Sequence, residues 1–183
     1  NSLAQGHTHL TKENLWMGAN TGSLGQGFSF AIGYAIGLKK LKSNKKVFTI
    51  LGDGELQEGE IWEGAMFSSH HKLNNLCAII DYNKLQSDEK VRNIMNVEPL
   101  KQKWLSFGWR VISINGHNYS QIKKAFDNFI KKPQKKPTMI IANTVKGKGI
   151  KFMEGDPLWH GSVKISKDQF DKAVNEIKNK YEK

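Results

Sequence analysis

Val47-Phe48-Thr49-Ile50-Leu51-Gly52-Asp53-Gly54 is an apolar run that ends in a carboxylate set between two glycines. Five apolar or β-branched residues in succession read as a strand, and the flanking glycines let the backbone turn sharply at its carboxyl end, the edge where open α/β sheets bind ligands. A second apolar run, Leu76 to Asp81, leads into Tyr82-Asn83. Twenty-eight residues separate Gly54 from Asn83, room for one helix, so Asp53 and Asn83 are expected on neighbouring strand ends.

Working outward, Arg110-Ile114 and Met139-Val145 read as two further strands. Helical patterns fall between the strands and beyond them, at Gln26-Leu41, Glu58-Lys72, Leu100-Phe107 and Tyr119-Lys132, with a last amphipathic stretch at Lys167-Tyr181. This alternation predicts βαβ units, and near-continuous apolar strands predict that both sheet faces are covered. The expected fold is a three-layer, doubly wound α/β domain with a parallel sheet, one domain over residues 1–183. The segment 1–19 has weak periodicity and is expected to wrap over a body built later in the chain. Lys131-Lys132-Pro133-Gln134-Lys135-Lys136-Pro137 is the strongest breaker, short enough for a helix-to-strand connection.

The chain has 183 residues, 38% of them hydrophobic and 10% aromatic, which suffices for one ordinary core. Its single cysteine, Cys77, lies in an apolar run, so no disulfide can form within the chain and a small buried residue is expected there. No run is apolar for long enough to span a membrane and the first residues lack signal-peptide character, so a cytoplasmic location is expected. The missing initiator Met fits a sequence that starts inside a longer natural chain. The net charge of +11 comes almost wholly from dispersed lysines, and only Arg92 and Arg110 could fork onto base edges. A solvated basic surface is therefore expected rather than a nucleic-acid site. Trp16, Trp62, Trp104, Trp109 and Trp159 show no spacing for stacked bases and are expected in packing.

A carboxylate, an amide oxygen and a main-chain carbonyl form a hard oxygen set for Mg²⁺, with Ca²⁺ as a substitute, and diphosphate and water complete the octahedron. Gly-Asp-Gly alone also fits a simple turn, and Asn after a strand is a common turn residue. Upstream, Thr21-Gly22-Ser23-Leu24-Gly25-Gln26-Gly27 leads into an apolar helix, and its glycines let free N–H groups approach an anion or a flat ring. Without a ligand it is simply a glycine-rich helix start. Lys146-Gly147-Lys148-Gly149 lacks the glycine spacing and the Lys-Ser/Thr ending of a nucleotide phosphate loop, so an NTPase is excluded.

Gly52-Asp53-Gly54-Glu55-Leu56-Gln57-Glu58-Gly59, Trp62-Glu63-Gly64-Ala65 and Asp81-Tyr82-Asn83-Lys84-Leu85-Gln86 together resemble the transketolase family, in particular the amino-terminal subunit of split transketolases. Thr21 to Gly27, Thr144 to Gly149 with Trp159-His160-Gly161, and Ser2-Leu3-Ala4-Gln5-Gly6-His7 extend the match in the same order. The resemblance implies metal ligation by the side chains of Asp53 and Asn83 and the main-chain carbonyl of Leu85. It implies thiamine-diphosphate contacts from Gly22, Leu24, Gly52, Gly54, Glu58 and His160, and catalytic roles for His7 and His160. Ser23 stands where the family often has Pro, and Thr8-His9-Leu10 departs from the family's usual continuation after His7. For Glu58 a helix-capping role stands beside the cofactor role. For His117 the N-cap position of Asn118 explains the local pattern without catalysis.

The activity so implied is transfer of a two-carbon ketol unit from a ketose, free or phosphorylated, to an aldose. A 2-oxoacid dehydrogenase component, a deoxyxylulose phosphate synthase relative and a non-catalytic binding protein on the same fold are the alternatives. No pyrimidine-side glutamate and no upstream channel histidines are visible, so the resemblance implies a second subunit carrying the pyrimidine-binding and C-terminal domains, in an α2β2 assembly.

Overall fold

The computed structural model describes residues 10–12, 18–87, 89–132, 135–161 and 163–181. His7 and its motif, and Trp16, lie outside the described residues. The elements in chain order are α1 (Gln26–Lys40), β1 (Val47–Gly52), α2 (Gly59–His70), β2 (Leu76–Tyr82), α3 (Val91–Ile94), α4 (Leu100–Ser106), β3 (Arg110–Asn115), α5 (Tyr119–Lys131), β4 (Thr138–Asn143) and α6 (Lys167–Tyr181), with single 3-10 turns at Gly54–Gln57 and Pro157–His160.

All strands pair in parallel in the order β1-β2-β4-β3, so the ends of β1 and β2 are adjacent as expected. Gly52 is in register with Asp81, which brings the turn after β1 beside the turn after β2. Alternation along β2 divides the core: Leu76, Ala78 and Ile80 face α1, α2 and α4, whereas Cys77 faces the layer containing α5. This is the expected three-layer α/β architecture.

Helical periodicity decides which face each helix buries. Phe28, Ala31, Ile32 and Ala35 of α1, and Ile61, Gly64, Ala65 and Ser68 of α2, follow i, i+3, i+4, i+7 spacing and are buried. Gly64 admits α1 closely: a Cβ there would stand 2.7 Å from Ile32 Cδ1 and 2.9 Å from Phe28 Cε1. Trp104 and Trp109, ring centroids 4.9 Å apart, close the core behind these helices. The Trp109 indole N–H donates to Ala65 O at 2.9 Å, satisfying its one polar atom. Tyr34 donates its hydroxyl to Gly18 O, tying part of the early segment to α1.

Coverage of β1 differs from expectation. Phe48 packs on Phe126 and Phe129 of α5, but Ile50 is 74% exposed. β1 is an edge strand and α5 reaches only its amino-terminal half, so the outer face of its carboxyl half stays open. The last strand stops at Asn143 rather than Val145, because Val145 N–H donates to His117 Nε2 at 2.8 Å instead of extending the ladder. α2 starts at Gly59, not Glu58, because Gly54–Gln57 forms a tighter turn that leaves Glu58 extended at ψ 131°. Short helix α3 and the Pro157–His160 turn have too few residues for a readable period.

Gly64→Ala should destabilise the chain by about 1–3 kcal/mol through overpacking against Ile32 and Phe28. Denaturant unfolding monitored by tryptophan fluorescence measures it, and an unchanged midpoint would contradict the tight α1–α2 contact.

Candidate functional site

Asp53 is 1% exposed at the end of β1. Its Oδ1 accepts the N–H of Gly54 at 2.9 Å, and its Oδ2 accepts the N–H of Lys84 from the turn after β2. One carboxylate thus joins the two strand ends. Burial pushes its pKa up to about 6 against the restraint of these two N–H donors, and the nearby charge of Asp81 adds to the rise. Among the described residues no Lys, Arg or His forms an ion pair with it.

The turn after β2 is folded by Asn83, whose Oδ1 accepts Leu85 N–H at 2.9 Å while its amide nitrogen donates to Asp81 Oδ2 at 3.3 Å. Lys84 adopts φ 67°, so the chain reverses between Asn83 and Leu85. Gly54 is required by the neighbouring turn, since a Cβ would lie 2.8 Å from Gln86 Cβ. Gln57 Nε2 donates to Gln86 Oε1 at 2.6 Å and holds the same two loops together.

A carboxylate oxygen and an amide oxygen each have more than one accepting direction, so Asp53 and Asn83 retain capacity beyond these N–H bonds. The set is hard, oxygen-only and carries a buried carboxylate without a cationic partner among the described residues, which fits a Mg²⁺-sized cation. Among the described residues no three His, Cys, Asp or Glu side chains are grouped to hold a metal, so any such ion relies on mixed amide and main-chain oxygens.

The glycine-rich segment enters α1 at Gly25, whose φ of 86° suits glycine. No side chain caps α1, so its first turn presents main-chain N–H groups. Gly22 is exposed and Leu24 is 56% exposed beside that turn. The Gly25 N–H donates to Glu55 Oε1 and the Gly52 N–H to Glu55 Oε2, both at 2.9 Å, linking this segment to the turn at Asp53.

His160 ends the second 3-10 turn, where Asp156 accepts Leu158 N–H and Trp159 stacks edge-on against Phe152. Its Nδ1 lies 3.2 Å from Lys146 Nζ, three residues beyond β4. An ammonium can only donate, so this contact is a hydrogen bond when Nδ1 is the accepting nitrogen of the ring.

The structure therefore joins Asp53, Asn83 and Leu85 in one cluster, with Gly52 and Gly54 as its hinges and Gly22 and Leu24 on the linked loop. His160 is held by Lys146 rather than by that cluster. Glu58 occupies the N-cap position of α2, but its side chain makes no capping hydrogen bond, which removes the capping-box reading. Asn118 does cap α5, accepting Gln121 N–H at 3.0 Å, as its position implied. Cys77 is buried, and desolvation pushes its thiol up to about 12. Sequence reasoning assigned nothing to Glu55, Gln57, Gln86, Lys146 or the ring of His117 as an acceptor. Glu55, directly after Gly-Asp-Gly, carried a signal in its position, while the others depend on loops meeting in space.

The family described as the transketolase thiamine-diphosphate-binding domain matches residues 1–181. A 6-deoxy-6-sulfo-D-fructose transketolase subunit of Clostridium sp. is 46% identical over 157 residues, 86% of this chain and 56% of that one. An apulose-4-phosphate transketolase subunit of Phocaeicola vulgatus is 39% identical over 175 residues, 96% of this chain and 62% of that one. The chain thus spans little more than half the length of these curated relatives. The crystal structure of transketolase from Campylobacter jejuni superposes with a TM-score of 0.79 at 34% identity, covering 86% of this chain and 25% of that one.

With its pKa raised from 3.8 to about 6, protonated Asp53 favours the folded chain, a contribution that is full below about pH 4 and lost as pH rises through about 6. The melting temperature of the ligand-free chain minus that of Asp53→Ala should fall across this window. A pH-independent difference would contradict a buried, unpaired carboxylate.

Proposed function

The chain belongs to the transketolase family through its thiamine-diphosphate-binding domain, and we propose on that premise that it forms the diphosphate- and metal-binding half of a ketol-transferring enzyme. The observation that carries this reading is the Asp53 carboxylate, buried at a strand end without a cationic partner among the described residues and bonded to the turn that bears Asn83.

Asp53 and Asn83 would hold Mg²⁺ through their side chains and Leu85 through its carbonyl, with Gly52 and Gly54 letting the backbone approach the diphosphate. Gly22 and Leu24 would line the ring end of the cofactor, and Glu58 would lie beside the junction with a partner. When bound, thiamine diphosphate supplies the nucleophilic carbon and the electron sink needed to break and remake a ketose carbon–carbon bond. His160 would offer a ring nitrogen to the diphosphate or the reacting centre, with Lys146 beside Nδ1. His7 is assigned to substrate polarisation by its motif alone.

Two relatives are named for ketoses with an anionic group, a sulfonate in one and a phosphate in the other, and the same donor class is proposed here. Both are named as subunits, which supports a partner chain; that it contributes the pyrimidine-binding and C-terminal domains, in an α2β2 assembly, is part of the proposal. Among the described residues no helix is long and apolar enough to cross a membrane, and a cytoplasmic setting is part of the proposal.

Calorimetric titration with thiamine diphosphate, with and without Mg²⁺ and a partner chain, tests the cofactor assignment. Asp53→Ala should abolish the Mg²⁺-dependent part of binding while leaving a folded chain, and unchanged affinity would remove Asp53 from the metal site. Ketol transfer should require both chains. Full turnover by this polypeptide alone would sink the partner reading.

A further inference from the structure

Glu55 follows Gly54 in the tight turn after β1 and is half-buried. Each of its carboxylate oxygens serves a different loop: Oε1 takes the N–H of Gly25 at the start of α1, and Oε2 takes the N–H of Gly52 just before Asp53. Nearby, Glu60 Oε1 accepts the Ser29 hydroxyl at 2.5 Å, so two glutamates from the entry of α2 grip the first turn of α1. Gly25 suits this close approach, since a Cβ there would stand 3.2 Å from Glu60 Oε2 and its φ of 86° disfavours any other residue.

We propose that Glu55 is a positioning residue that sets the spacing between the glycine-rich loop and the metal-binding turn, and thereby the fit of one ligand that must reach both. The inference rests on the cofactor reading above, in which the ring end of the ligand meets Gly22 and Leu24 while its diphosphate meets Asp53 and Asn83. A covalent ligand has a limited span, so loops free to drift apart would have to be drawn together at the moment of binding, at a cost in affinity. A carboxylate suits the task because it offers two accepting oxygens and no donor. Glutamine offers one accepting oxygen, and its NH₂ would confront one of the two N–H groups. Aspartate keeps both oxygens but is shorter by one methylene.

The test uses the chain with its partner under the conditions of the cofactor titration, together with amide hydrogen exchange of Gly25 and Gly52 measured by NMR on the ligand-free chain. In Glu55→Gln at least one of these amides should exchange faster, and the affinity for thiamine diphosphate with Mg²⁺ should fall about tenfold or more, the size expected from losing a charge-assisted hydrogen bond. The rate at saturating cofactor should stay near that of the wild type, a split that general loosening of the fold would not produce. If the Gln variant does not fold, Glu55→Asp supplies the same readouts, with lost reach in place of lost charge. Unchanged affinity, or exchange confined to wild-type values, overturns the positioning role. Asp53→Ala run alongside separates the failures: if it loses Mg²⁺-dependent binding while the Glu55 variant binds normally, only the role of Glu55 falls, whereas a wild-type complex that takes no cofactor removes both.

Discussion

A carboxylate buried at the end of an apolar strand must be compensated, and the way Asp53 is compensated organises the neighbouring loops. Its two oxygens take N–H groups from two different turns, so the end of β1 and the end of β2 cannot move independently. The same bond brings Asn83 beside it, and the close pass of the loops excludes any side chain at Gly54. Main-chain N–H groups stabilise the charge only in part, since the group still holds its proton more tightly than a solvated carboxylate. A cation is the remaining compensation that the oxygen set favours.

The scaffold behind this arrangement is stiff where the loops are anchored. α1 and α2 touch at Gly64 with no space for a methyl group, and Phe28 packs on both Trp104 and Trp109. A close-packed contact of this kind transmits position instead of absorbing it. The glycine-rich loop enters α1 and the turn at Asp53 leads into α2, so the same helix pair that builds the core also spaces the two halves of the candidate site. On the far side the packing is thinner, and the carboxyl half of β1 has no helix over it.

Charge plays different parts at different depths. The dispersed lysines form a solvated surface, and individual pairs such as Lys123 with Asp127 at 2.6 Å are exposed and contribute little to stability. Lys146 differs because its partner is a histidine ring, with Nζ 3.2 Å from Nδ1 of His160.

Much of the architecture was legible in sequence because it depends on local pattern. Apolar runs marked all four strands to within about two residues, and i, i+3, i+4, i+7 spacing marked the buried faces of α1 and α2. Asp53 and Asn83 were legible as a pair because a single-helix crossover favours adjacent parallel strands. The tight turn that leaves Glu58 outside α2 was not legible, since a single 3-10 turn has no period to read. Nor were the exposed face of Ile50, the acceptor role of His117 or the two-loop bond of Glu55, each of which depends on what another segment brings alongside. Sequence by itself determined the parallel α/β class and the residue types at the strand ends, through periodicity and glycine placement. Tertiary structure alone decided which N–H groups meet each carboxylate, because hydrogen-bond partners distant in the chain become neighbours only once the helices have packed.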